Sequence, residues 1–381
     1  MGLKTFAFGF TLIVILSVST IAAANWWLNS VDATPEFFVG VEFAYSGDAN
    51  DVKALVDKVK DYTNLFVIGS IEISFNQTAL NESCDYVVES GLYLIVFITD
   101  STEYHYGNNY TIFEWGADAK QKYGDMFLGV YRYDEPGGNQ LDLGPSILVD
   151  NATNYTDMAD KYSSYLNILI SYHKNYSDTV ITADYGLYWF DYKAGYTAVL
   201  TEFGWNHSRP LHIALCRGAA EAYNRDWGAI ITWTYNVTPF IYSDGEELYS
   251  DLKLAYNNGA KYAVVFNYPV TGPYGILTED HFDALKDFWN YIQSNPQEHG
   301  IIQGEVAYVL PKDYGFGFRY AEDKIWGLWE ADELSQKVWD DVNKLLDQYG
   351  SRLDIVYDDP EVMGAVKNRY EKLFFWNETI T

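Results

Sequence analysis

Cysteine is nearly absent from this chain: two residues in 381, Cys84 and Cys216, so at most one disulfide could form. Basic side chains are scarce as well, 25 Lys and Arg against 53 Asp and Glu, for a net charge of −28. A polyanion of this size repels phosphate, which excludes nucleic acid and anionic membrane surfaces as partners. The six histidines, at 105, 173, 207, 212, 281 and 299, show no paired ligand spacing, so no zinc site is expected. Past residue 24 no apolar run is long enough to span a bilayer. No long repeat or low-complexity linker interrupts the chain, and no Gly-rich turn follows the first strand-like run, as a dinucleotide fold would have. Nothing in the pattern asks for a cofactor.

What the chain has in abundance is aromatic surface: 34 Tyr, 21 Phe and 12 Trp, 18% of the residues. Tyr and Trp join an apolar face to a polar tip, which suits surfaces that grip sugars, although most of them serve the core. The N-terminus has a single charge, Lys4, an apolar run from Phe6 to Ala24, and a small-residue end at Ala22-Ala23-Ala24. It is expected to be a secretory signal, residues 1–24, cut after Ala24; at this length it would also serve as an uncleaved membrane anchor. Nine Asn-x-Ser/Thr sequons follow, at Asn76, Asn81, Asn109, Asn151, Asn154, Asn175, Asn206, Asn236 and Asn377. Together these features lead us to expect a secreted or cell-surface glycoprotein whose only link to a membrane is that N-terminal segment.

From residue 37 onward, β-rich apolar runs alternate with stretches of helical period. The runs are FFVGVEFAY, NLFVIGS, GLYLIVFITD, FLGVYRYDEP, TVITADYG, YTAVLTEFGW, GAIITWTYN and KYAVVFNYP. Helices are expected at 51–62, around 84–89, and at 156–174, 210–224, 246–258 and 279–294, with 137–153 a long loop. Only nine residues, LYWFDYKAG, join the fifth and sixth runs. Eight strand–helix units over residues 35–296 predict a (β/α)8 TIM barrel. The pattern then restarts over 303–381, with strands EVAYVLP, LDIVYDD and KLFFWN and helices at 333–349 and 360–371. This small three-stranded α/β domain has too little chain to fold comfortably alone and should pack on the barrel. In such a barrel Cys84 and Cys216 ride on opposite sides of the ring, beyond disulfide reach, as two buried thiols.

Barrel enzymes carry their chemistry where the strands end. Those positions hold Glu42, Asp100, Asp134, Glu135, Asp184 and Glu202, with Trp233, Tyr235, Asn267 and Tyr268 on the last two strands. Acids around one rim beside aromatics are what glycosidic cleavage needs: one carboxyl protonates the leaving oxygen, another attacks the anomeric carbon or activates water. Any one of these acids alone would pass for a solvated or salt-bridged loop residue. Glu135, Glu202 and Asp134 are the candidate catalytic groups. Tyr185, Trp189, Trp205, Trp233 and Tyr235 could form a stacking platform, with Glu42, Asp184 and Asn267 beside them, while Arg132 and His212 could tune the acids. Arg319 and Trp326, in the aromatic loop 312–331, follow the first strand of the small domain, where α/β sheets present ligands. Asp134, Asn139 and Asp142 lack the full oxygen-rich loop of a calcium site. The expected partner is a polysaccharide or glycan.

The segment Tyr133-Asp134-Glu135-Pro136 resembles the Asn-Glu-Pro signature that ends the fourth strand in the large clan of retaining barrel glycosidases, with Asp134 in place of Asn. That resemblance implies Glu135 as acid/base. The clan's nucleophilic Glu at the end of strand seven has no counterpart in GAIITWTYN, and the nearest substitute is Glu202 in TEFGWNHS, ending strand six. A fourth- and sixth-strand pair is similar to that of the α-galactosidase and α-glucosidase barrels, which implies the reverse roles. The C-terminal region resembles the flavodoxin-like accessory domains beside barrel β-galactosidases, and the overall plan resembles uncharacterised archaeal secreted glycosidase-like barrels. Two readings therefore stand: a glycosidase using Glu135 and Glu202, and a sugar-binding or structural relative that kept the barrel and lost turnover.

Overall fold

The computed structural model describes residues 35–99, 104, 106, 107, 110–142, 147–232 and 244–380. Eight strands pair side by side in chain order, all parallel: β1 (Phe38–Phe43), β2 (Leu65–Ile68), β3 (Tyr93–Ile98), β4 (Phe127–Arg132), β5 (Thr179–Asp184), β6 (Ala198–Phe203), β7 (Asp226–Ile231) and β8 (Tyr262–Asn267). The ring closes where β8 pairs with β1. Around it run α1 (Ala49–Val59), α2 (Ile71–Phe75), α3 (Gln77–Glu89), α4 (Ile112–Tyr123), α5 (Pro136–Leu141), α6 (Tyr155–Ser171), α7 (Tyr188–Ala194), α8 (Arg209–Ala222), α9 (Gly245–Asn257) and α10 (Glu279–Ser294). This is a TIM barrel.

Strand side chains alternate between two faces, and in a closed barrel one face is the interior. Phe38, Val67, Ile95, Ile181, Leu200 and Val264 fill that interior. Their neighbours of opposite parity, such as Val39, Val41 and Val199, pack outward against the helices. Each helix offers them one apolar stripe; in α1 this is Val52, Leu55, Val56 and Val59, with the Asp48 carboxylate capping its first turn.

Helices α2 and α4 had no counterpart among the expected helices, and α3 starts at Gln77, ahead of the expected 84–89. Two further elements differ. The region 137–153 opens with α5, a short helix that its paired glycines conceal in the sequence, while Pro136 at its first turn supplies the right φ. The last helix, α12, begins at Met363, not at residue 360, because a turn closed by the Val362 and Met363 N–H groups on the Asp359 carbonyl comes first.

Beyond α10, β9 (Val306–Leu310), α11 (Glu333–Tyr349), β10 (Leu353–Tyr357), α12 (Met363–Arg369) and β11 (Lys372–Phe375) build a parallel sheet of order β10-β9-β11. It rests on α8. Gly218 brings the two backbones so close that a Cβ there would lie 2.4 Å from the Ile355 carbonyl oxygen. Next to it the buried Arg217 donates to Asp354 (2.8 Å), to Asn258 (2.9 Å) and to the Ser351 carbonyl (2.6 Å). The Tyr370 hydroxyl completes the cover of Asp354 at 2.8 Å. The described residues from Phe37 onward thus form one compact unit. Cys84 on α3 and Cys216 on α8 are buried free thiols. The N-terminal segment, Asp100, His105, Asn109, Trp233, Tyr235 and Asn236 lie outside the described residues.

Candidate active site

The turn after β4 sets the first acid. Tyr131 points into the barrel, and the chain then holds Tyr133 and Glu135 at φ 62° and 49°. Left-handed backbone at non-glycine residues costs about 1–3 kcal/mol each and persists only where the surroundings enforce it. Here β5 enforces it. The Glu135 N–H donates to the Ala183 carbonyl (3.0 Å), and the Thr182 hydroxyl reaches the Tyr133 carbonyl. Asp184 accepts from the backbone N–H groups of Gly137, Gly138 (2.9 Å), Tyr185 (2.7 Å) and Gly186 (3.2 Å). Glycine is required for this seating, since a Cβ on Gly137 would stand 2.3 Å from the Gly186 carbonyl oxygen. Gly137→Ala is therefore expected to cost roughly 1–3 kcal/mol in stability and to displace Glu135. Urea unfolding and turnover measured on the same preparation check this.

Glu202 is set by parity. Ala198, Leu200 and Glu202 are alternate residues of β6, and the first two fill the barrel interior, so the third looks into its mouth. Positive φ recurs just beyond, at Trp205 (51°) and Asn206 (60°). This bend returns the Trp205 indole, whose Nε1–H donates to Glu202 Oε2 at 3.1 Å. The Glu202 and Glu135 carboxyls are themselves in hydrogen-bonding contact. Glu42 has the same inward parity on β1 and is buried, while Asp134 takes the hydroxyl of Tyr131.

Glu42 and Glu202 are buried and Glu135 is half-buried, and their acidities follow. Burial, then repulsion from Asp134, lifts Glu135 to about 7. Burial, then the charge of Glu135 and the hydrogen bond between them, pushes Glu202 well above the carboxylate range. Burial and Asp134 do the same to Glu42. Asp134 is crowded by the barrel wall, which raises its carboxyl, yet the residue is exposed and water at its open side limits that rise.

The raised pKa of Glu135 fixes the sign of a pH effect. Between its ordinary value of 4.5 and about 7 the native state binds more protons than the unfolded chain. The stability linked to this group is thus fully present below about pH 4.5 and is lost as pH rises through about 7. Unfolding free energies of wild type and Glu135→Gln should converge at pH 4.5 and diverge by pH 7.5, the variant holding more of its stability. Parallel curves would contradict this.

Among the described residues, two cavities open at the rim. One of about 80 Å3 is lined by Tyr131, Asp134, Glu135, Glu202, Trp205 and Thr232. The other, of about 420 Å3, is lined by Glu42, Tyr45, Ser70, Glu72, Phe97 and Tyr268 among others. They share Tyr131, Asp134 and Phe266, so they form adjoining parts of one depression. A larger hollow of about 640 Å3 lies on the outer shell between α9 and α10, away from these acids.

Several residues expected at the site lie elsewhere. Arg132 has the outward parity of β4; it donates to the Ile98 carbonyl (3.2 Å) and faces His173 in the helix layer. Asp184 spends both oxygens on the backbone donors above. Trp189 packs on Tyr223 and Tyr357 at 5.1 and 5.0 Å, under the C-terminal sheet. Trp326 is fully buried between Tyr162 and Phe190, with its Nε1–H on the Asp313 carbonyl at 2.9 Å. His212 is buried and bonded to Tyr188 at 2.7 Å; burial first, then His207 and Arg209, lower its pKa, so it does not serve as a charge beside the acids. Asn267 accepts from the Ile276 N–H at 2.9 Å and holds the loop after β8. Tyr185 stands near Glu135, its hydroxyl committed to Asp142, and Arg319 completes that group by pairing with Asp142 and Asp323. Asp142 is thereby occupied, and Asn139 donates to the Asp134 carbonyl. Among the described residues no cluster of three or more His, Cys, Asp or Glu could hold a metal ion. Tyr45, Phe97, Tyr131 and Phe266 were missing from the expected site, whereas Tyr268, expected at the end of the eighth strand, does line the larger cavity. Strand parity would have found Phe97, Tyr131 and Phe266, which share the inward register of Glu42 and Glu202.

No family model and no curated protein matches the chain. Solved structures do. Alpha-L-fucosidase isoenzyme 2 from Paenibacillus thiaminolyticus aligns with TM-score 0.51 at 10% identity over 88% of this chain, which spans 63% of that chain's length. The GH99 endo-alpha-mannosidase from Bacteroides thetaiotaomicron aligns at 0.40 and 14%, over 66% of this chain and 81% of that one. The D-allulose 3-epimerase from Methylomonas aligns at 0.38 and 11%, over 69% and 99%. At 10% identity the likeness to the fucosidase is one of fold.

Proposed function

We propose that this protein is an exported retaining O-glycoside hydrolase acting on a polysaccharide or glycan, with Glu135 and Glu202 as its catalytic pair. The contact between the half-buried Glu135 carboxyl and the buried Glu202 carboxyl carries the reading. Two carboxyls this close cannot both ionise, so the pair shares a proton. Burial and the neighbouring charge favour that proton on Glu202, leaving Glu135 as the anion. Glu202 then donates to the glycosidic oxygen while Glu135 attacks the anomeric carbon and the bond to the leaving sugar breaks. In the second half Glu202 takes a proton from water, whose oxygen displaces Glu135. A pair in hydrogen-bonding contact lies nearer the retaining separation of about 5–5.5 Å than the roughly 6.5–9.5 Å that an inverting enzyme needs for its intervening water.

Export is supported by the N-terminal segment and the sequons. Of the seven sequon asparagines among the described residues, Asn76, Asn151, Asn154, Asn175, Asn206 and Asn377 are exposed, and Asn81 is half-buried, accepting from the Trp115 indole at 2.8 Å. The order β10-β9-β11 supports reading the small domain as half of a flavodoxin-like layer. The test is a screen of aryl glycosides and oligosaccharides with proton NMR of the first product. Release of sugar with retained anomeric configuration is expected. Inversion would sink the mechanism, and glycan binding without any release would favour a sugar-binding relative of the glycosidases.

A further inference from the structure

The larger cavity at the barrel mouth contains more acid than two catalytic carboxyls require. Glu42, Asp134 and Glu72 line it, and no lysine, arginine or histidine does so among the described residues. Glu42 is only 4% exposed, and its Oε2 has no hydrogen-bond partner. A buried carboxyl oxygen left unpaired is costly, and Asp134 beside it makes ionisation harder still. The place is nevertheless kept open for it: a Cβ at position 69 would come within 2.1 Å of Glu42 Oε1, and the chain has Gly69 there. The hydroxyl of Tyr45, on the same wall, is also buried without a partner. The nearby serines are already engaged, Ser70 with the Ser46 carbonyl and Ser46 with Asp51. Aromatic faces at Phe97, Phe266 and Tyr268 complete the lining.

We infer that this cavity takes a sugar unit carrying a free amine, its ammonium group seated between Glu42 and Asp134. The inference rests on the reading of the mouth as a sugar site and names the substrate class. A neutral hydroxyl could satisfy Glu42 Oε2, but it would leave the repulsion between the two acids in place. An N-acetyl group brings a carbonyl that faces carboxylates and adds bulk. An ammonium brings three donors and the missing positive charge, so both contacts become charge-assisted. The aromatic faces meet the C–H surface of the ring, and 420 Å3 lies within the range of small-ligand sites.

Calorimetric binding to the whole protein, independent of turnover, tests this with tetramers of glucosamine, galactosamine, N-acetylglucosamine and glucose. At least one amino tetramer is expected to bind on the order of 30-fold more tightly than both the acetylated and the neutral probe, with a preference that weakens in salt. Glu42→Gln and Asp134→Asn should each bring the ratio to within about threefold. The bulk of the negative charge remains in both variants, so this loss separates a seated amine from general attraction to a polyanion. Asp134 is exposed, so its variant tests the point even if the Glu42 variant fails to fold. An acetylated or neutral tetramer that binds as tightly as the amino tetramers overturns the inference, as does a preference that survives both substitutions. Amine-selective binding without cleavage would overturn the catalytic proposal alone, and cleavage of neutral glycans without amine preference would overturn only this one.

Discussion

Glu135→Gln and Glu202→Gln are each expected to lower turnover on a natural glycan by about 10^4-fold while leaving sugar binding within a few-fold of wild type. Glutamine keeps the shape of the side chain but can neither attack nor pass a proton. The two variants should then separate by leaving group. An activated aryl glycoside needs little protonation, so it should restore the first step in the Glu202 variant and not in the Glu135 variant. Azide discriminates further. It should rescue Glu135→Gln with inverted product configuration, by taking the place of the nucleophile, and Glu202→Gln with retained configuration, by intercepting the enzyme-bound sugar. The opposite pattern would give Glu135 the acid/base role that its likeness to Asn-Glu-Pro implies.

The second large effect lies far from the mouth. Arg217→Met leaves Asp354 buried with the Tyr370 hydroxyl as its side-chain partner, and Asp354→Leu leaves a buried guanidinium facing carbonyls and Asn258. Removing one partner of a buried ion pair costs about 3–5 kcal/mol. The double variant, with apolar groups on both sides, should lose much less than the two single losses combined. Urea unfolding of the four proteins gives the coupling directly. Additive losses would mean that the pair contributes nothing beyond its separate contacts to the seam between α8 and β10.

The sequence made the architecture readable because both periods in it are strong. Runs such as FFVGVEFAY and KYAVVFNYP are apolar throughout, as strands covered on both faces must be. Helices α10 and α11 begin and end where their caps and stripes placed them, at 279–294 and 333–349. The site was readable only in part. Strand ends identify the rim, but parity decides which side of the wall a residue takes, and counting residues from an interior position such as Leu200 separates Glu202 from its neighbours. That count was not applied to Arg132 or Asn267, which fall on the outer parity of β4 and β8. Trp189 and Trp326 were assigned by residue type, and large aromatics are just as useful for sealing a seam between layers. The role of Asp184 could not be read at all. It depends on four N–H groups that converge only after two turns have met.

That convergence has a consequence for how specificity could change. Asp184 stitches the turn after β4 to the turn after β5 through its own carboxylate, whose four donors are backbone N–H groups that no side-chain exchange elsewhere can remove. One half of the mouth is therefore a fixed anvil, holding Glu135 at one setting whatever sugar arrives. The opposite half, from the ends of β8, β1 and β2, meets the cavity mainly through side chains such as Tyr268, Tyr45 and Glu72. Divergence toward new sugars should accumulate on that second half, and libraries built to retune this barrel belong there.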